Sequence, residues 1–129
     1  MIETLSDAAK VSASIPVALI GDDATANGAG VAWSGNFRSV MAVMFTGAWT
    51  DGTFTFEVQD SPDNVTYTAV ADVYLDGTEP ALAAADTLAV VGYKGTKKYL
   101  RVSVTSTATT DGAVVGAFIV ASNPNRAPV

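Results

Sequence analysis

Two acidic turns hold most of the groups with which this chain could do chemistry. Asp22 and Asp23 are adjacent, and Asp60, Asp63 and Asn64 lie within five residues of one another. A hard cation such as Ca²⁺ needs six to eight oxygens. Two or three Asp in a turn begin such a shell, but the spacing of a calcium loop is absent. Asp and Asn also close turns by bonding their own backbone, and that reading is the stronger one. Glu57 stands on the polar side of an alternating stretch with no acid partner in the sequence. Glycoside hydrolysis needs two carboxylates facing each other across a cleft. The chain has no Cys and no His. Disulfides, cysteine zinc sites, thiol nucleophiles and Ser–His or Cys–His couples are therefore excluded. The expectation is a non-enzymatic protein with no catalytic residue, no cofactor and no metal ligand.

Positive charge gathers in one place. Lys94, Lys97, Lys98 and Arg101, with Tyr93 and Tyr99 between them, form a candidate contact for an acidic partner. Lysines on an edge strand also guard it against aggregation, and this plainer reading carries more weight. Trp33 and Trp49 lie beside Gly-rich turns, where core packing and interface anchoring both fit. The whole chain carries a net charge of −6, and its pI is about 4.2. Such an acid balance argues against a nucleic-acid partner, which would draw on a basic surface.

The elements that must position these residues read as strands. Phe54, Phe56 and Val58 alternate with Thr55, Glu57 and Gln59, the period of a strand with one buried face. Asp60 to Asn64 interrupt the run, and residues 65–70 resume it, so residues 53–70 predict a hairpin with its tip at 61–64. Residues 11–20 are β-prone, although Pro16 confines them to a sheet edge or a bend. Residues 24–35 read as a loop leading into a short strand. Residues 40–45 and 113–121 are apolar at almost every position, which predicts strands covered on both faces. Further strands are expected at 73–75, 87–93 and 97–106, and the Ala-rich piece near residue 83 suggests a helical turn. Seven to nine short strands with regular turn signals predict an all-β, single-domain antiparallel β-sandwich or jelly roll.

At 129 residues the chain has the size of one domain. Residues 1–10 read as an N-terminal arm, 11–121 as the β-sandwich and 122–129 as a polar tail. The N-terminus lacks the apolar run of a signal peptide, and nothing approaches a membrane span. No membrane partner and no export by the general secretory route are expected. Because 40–45 and 113–121 are apolar on both faces, a neighbouring subunit is one candidate cover for the second face, and local loops are the other. Ile2, Leu5 and Val11 are the apolar groups with which the arm could dock on a partner.

A resemblance adds to this reading. The path Phe54-Glu57-Val58-Gln59, Ser61-Pro62-Asp63-Asn64-Val65-Thr66-Tyr67, Val91-Gly92-Tyr93-Lys94-Gly95 and Lys98-Tyr99-Leu100-Arg101-Val102 resembles small virion proteins of tailed bacteriophages. The upstream pieces Asn27–Val31 and Phe37–Val40 fit the same pattern. The resemblance implies a capsid decoration or cement protein on the head exterior, made in the host cytoplasm. It also implies the major capsid protein as partner and a homo-oligomer, with a trimer suggested by capsid symmetry. A tail or head–tail connector component is a further member of that class. The same two motifs are similar to discoidin-like carbohydrate-binding jelly rolls, but Asn64 and Tyr67 stand where those carry Gly and Trp. The disulfide that often closes such domains cannot form here.

Overall fold

A computed structural model describes residues 9–33 and 37–124. Two antiparallel sheets pack face to face. The first, sheet A, is built from β1 (Ala9–Ile20), β11 (Ala113–Pro124), β4 (Phe37–Trp49), β9 (Leu88–Tyr93) and β7 (Leu75–Asp76), in that spatial order. Sheet B has β10 (Tyr99–Thr107) and β5 (Thr53–Ser61) at its centre. The short strands β2 (Thr25–Asn27) and β3 (Val31–Ala32) share the free side of β10. On the far side, β6 (Thr68–Ala69) and β8 (Ala81–Leu82) share β5. The chain crosses between the sheets at almost every connection, which is the winding of a jelly roll. The expected all-β sandwich is the observed fold.

Alternation builds the core. In β5 and β10, Phe54, Phe56 and Val58 lie on the same inward face as Leu100, Val102 and Val104, and all six are buried. They meet Val40, Ala42 and Met44 of β4, Val115, Ala117 and Ile119 of β11, and Val91 of β9. Each large side chain buried here stabilises the fold by about 1.5–3 kcal/mol relative to exposure.

Several elements differ from the sequence reading. The second arm of the central hairpin is only β6, two residues, because the loop 62–67 turns away to lie over sheet B. The expected strand at 73–75 begins as a 3₁₀ turn (Asp72–Tyr74) and pairs only from Leu75. The Ala-rich piece forms β8 and a turn rather than a helix. Residues 24–35 hold two short strands, β2 and β3, on one neighbour. Pairing also extends past the expected domain edges. Ala9 and Lys10 pair with Ser122 and Ala121, and β11 continues to Pro124.

Pro16 sits on the edge strand β1, between register shifts at Ala13/Ile15 and Ile15/Ala18. The missing donor of Pro16 is harmless at an edge. The irregularity turns Ser14 inward, where it is fully buried. Its Oγ donates to the Ala29 carbonyl (2.9 Å) and accepts the Val102 N–H (2.9 Å). Val102 lies in the gap between β2 and β3, so its N–H lacks a strand partner and Ser14 supplies one from the opposite sheet. Gly28 closes the same gap by donating its N–H to the Val102 carbonyl (2.8 Å). A Cβ at Gly28 would stand 2.7 Å from the carbonyl oxygens of Ser14 and Val102.

Two substitutions test this knot. Ser14→Ala leaves the Val102 N–H buried without an acceptor and is expected to cost about 1–3 kcal/mol. Gly28→Ala forces two strands apart and is expected to cost about as much or more. Urea unfolding measures both, and midpoints unchanged from the parent would refute the assignment.

Candidate functional site

The candidate contact residues divide among three places. Ile2 and Leu5 lie outside the described residues. Val11 stands on the outer face of β1 and is 64% exposed. The remaining candidates cluster at the β9–β10 end of the sandwich, but they do not form one patch.

Tyr93 is corrected first. It shares an inward parity with Val91 and is 7% exposed, so it offers no surface to a partner. Its hydroxyl crosses the sandwich and donates to Asp60 Oδ2 (2.7 Å), and it accepts the Lys97 N–H (3.2 Å). The Trp33 ring meets the Tyr93 ring edge-on, with centroids 5.8 Å apart, and Trp33 Nε1 donates to the Lys97 carbonyl. Burial, and then the hydrogen bond to Asp60, push the Tyr93 hydroxyl up to about 12. Lys97 is spent on the same carboxylate, with Nζ 3.2 Å from Asp60 Oδ1. Lys97 therefore locks a loop.

Arg101 is engaged as well. Its guanidinium lies 4.1 Å from the centroid of the Tyr67 ring, and its Nε donates to Gln59 Oε1 (2.7 Å). The Tyr67 hydroxyl donates to Asn64 Oδ1, and a Cβ at Gly30 would collide with both groups. The loop 62–67 thus lies across the outer face of sheet B and touches both sides of β10. Lys98 sits 5.5 Å from the centre of the Tyr99 ring, and Lys94 is exposed. These two lysines are the exposed positive charge of this end.

The acidic turns are structural clamps. Asp63 accepts the Ser61 hydroxyl and the N–H groups of Val65 and Thr66 at 2.9–3.0 Å. Asp51 accepts N–H groups from Thr110, Asp111 and Gly112. Asp23 accepts the Thr109 N–H (2.8 Å) and its hydroxyl. These bonds hold all three carboxyls below the ordinary Asp range. Glu79 accepts the Val58 N–H between β6 and β8, completing the edge of β5, and its partial burial raises its pKa. Glu57 accepts the Gln59 amide (2.7 Å). Among the described residues, no three acids gather as metal ligands, and no helix is long and apolar enough to cross a membrane. Trp49 is half-buried against the core, with Nε1 on the Gly52 carbonyl.

The surface that the candidate residues missed is the outer face of sheet A. Its rows are Val11–Val120–Met41–Gly92, Ala13–Phe118–Val43–Val90 and Gly116–Phe45–Leu88, with Leu19 beside Val114. None of these side chains is charged. Phe45 and Phe118 stack with centroids 5.5 Å apart, and the Phe45 ring fills the space a Cβ on Gly116 would take, with Val17 beside it. Leu19 and Leu88 are 67% and 66% exposed. The apolar runs at 40–45 and 113–121 signalled this face, but they could not say which parity pointed outward.

No family model matches the chain, and no curated protein is similar to it. Among solved structures, the crystal structure of PBSX exported protein XepA is similar, with a TM-score of 0.55 and 16% identity. The likeness covers 100% of this chain and 41% of that one, so the chain spans less than half the length of XepA. At this identity the likeness shows a shared fold.

Two measurements check the clamps. A tyrosine held neutral in the fold stabilises it below pH ~10, and that contribution fades as pH rises through about 12. Tyr93→Phe is expected to lower stability at pH 7 by about 1–3 kcal/mol and to flatten the decline between pH 10 and 12. A carboxylate whose pKa is lowered in the fold stabilises it above its unfolded pKa of ~3.9 and ceases to do so as pH falls through the folded value. Asp51→Asn is therefore expected to lower Tm at pH 7 and to leave Tm nearly unchanged near pH 2. An equal Tm loss at both pH values would contradict the clamp.

Proposed function

We propose that this chain is a non-enzymatic structural protein of a phage particle, and that it decorates the outer surface of the head. The observation that carries the reading is the unequal finish of the sandwich. Sheet B is polar and covered by its own loop, whereas sheet A presents a broad, uncharged apolar face of the kind that assembly proteins use. The acids that could have served catalysis are committed to closing turns and strand edges, which supports a structural role. The fold is shared with XepA, a phage-derived protein, and the motif resemblance points the same way. Lys94 and Lys98 supply exposed positive charge at the β9–β10 end for an acidic shell surface, and charge of this kind sets encounter and register more than affinity.

Co-sedimentation with matching capsids that lack the protein tests the reading. Full-length protein is expected to pellet with mature capsids, and protein that stays in the supernatant refutes decoration. The double variant Lys94→Glu/Lys98→Glu is expected to weaken pelleting by about tenfold, and more strongly at low salt. Unchanged pelleting would move the contact away from this loop.

A further inference from the structure

We infer that the outer face of sheet A is the seat of a second copy of this chain. The inference is independent of the capsid reading, since a protein of any function could assemble through this face.

Extent comes first. Strands stand ~4.8 Å apart and rise ~3.3 Å per residue, so four strands over eight to ten residues make a footprint of roughly 500–600 Å². Monomers seldom leave a larger apolar patch than this, and a standard interface buries about 800 Å² on each partner. The face is therefore large enough, with its rim, to hold a stable homo-oligomer. Charge then selects the occupant. Each copy carries −6, so most approaches between two copies meet like charge. The rows from Val11 to Leu88 carry none, and two copies can close on that face without desolvating or opposing a single ionised group. The composition of the face, with Val, Met, Phe and Leu, matches the inner face of the same sheet. Obligate interfaces have this character of a core cut in half.

Relief supports the same occupant. The stacked Phe45 and Phe118 rings form a ridge, and low ground lies at Gly47 and Gly92, where no side chain rises. A ridge and a hollow on one face allow two copies to interlock at the ~10 Å spacing of packed sheets. Closed symmetry would bury the face without fibre growth. The phage resemblance implies three copies, and the measured mass gives the number directly.

Light scattering and sedimentation velocity on the full chain, from one to one hundred micromolar, test the inference. The parent protein is expected to run as one closed oligomer. Leu19→Glu and Leu88→Glu change side chains that are mostly exposed in the single chain, so each should keep the circular dichroism and cooperative melting of a folded protein. Each is expected to weaken self-association at least 100-fold and to run as a monomer. Thr105→Glu, on the outer face of sheet B, should leave the mass unchanged. Val90→Glu gives an independent variant of the same face should either leucine variant fail to fold. A monomeric parent overturns the inference, and so does an oligomer that survives these substitutions. Neither result bears on capsid pelleting, which is measured separately.

Discussion

The carboxylate of Asp60 is buried on the inner face of sheet B, and one end of the molecule is arranged to satisfy it. A charge taken out of water is tolerated only where partners replace its hydration. Here the hydroxyl of Tyr93 reaches it from the opposite sheet, Lys97 reaches it from the β9–β10 loop, and the Thr68 hydroxyl approaches from β6. Trp33 then packs against Tyr93 and ties the Lys97 carbonyl. Four segments distant in sequence are thereby fixed by one anion. The lysines left exposed at this end owe their position to it. Ser14 makes the corresponding link at the opposite edge, so a polar tie between the sheets stands on each flank of an otherwise apolar core.

The two outer faces solve the problem of a solvated sheet differently. On sheet B, Thr, Gln, Arg and Tyr side chains meet water, and the loop 62–67 lays Tyr67 over Arg101. On sheet A, rows of Val, Met, Phe and Leu meet water with no loop among the described residues above them. Apolar area left bare costs free energy in proportion to its extent. A difference of this size between two faces of one domain is an organisational feature of the molecule.

The fold was legible where alternation was clean. Phe54, Phe56 and Val58 declared both the strand and its buried side, as did Leu100, Val102 and Val104. In β4 and β11 every position is apolar, so the strands were evident, but the inward parity was not. The burden of the site followed the same rule. Tyr93 was read as a surface group from its lysine neighbours, although its parity with Val91 places it inside. The Asp turns were read correctly because Asp63 can close a turn with its own local backbone. Asp60 was not separable from that group, since its partners Tyr93 and Lys97 lie more than thirty residues away. The short β6 was overestimated because a β-prone composition at 65–70 says nothing about whether an edge is already occupied. That edge is completed by Glu79 and Pro80 instead.

The first and last strands are neighbours, with Ala9 beside Ser122 and Ile20 beside Ala113. The longest-range ladder in the chain is thus also its outermost one on sheet A. A chain whose two ends share a corner can be circularly permuted. Joining β11 to β1 and opening a connection elsewhere would turn that ladder into a local hairpin and lower the contact order. The native order postpones closure of this edge until the final strand has been made. During synthesis β4, the neighbour of β11 in the finished sheet, must wait with one side unpaired, and the last twelve residues decide when the sandwich shuts.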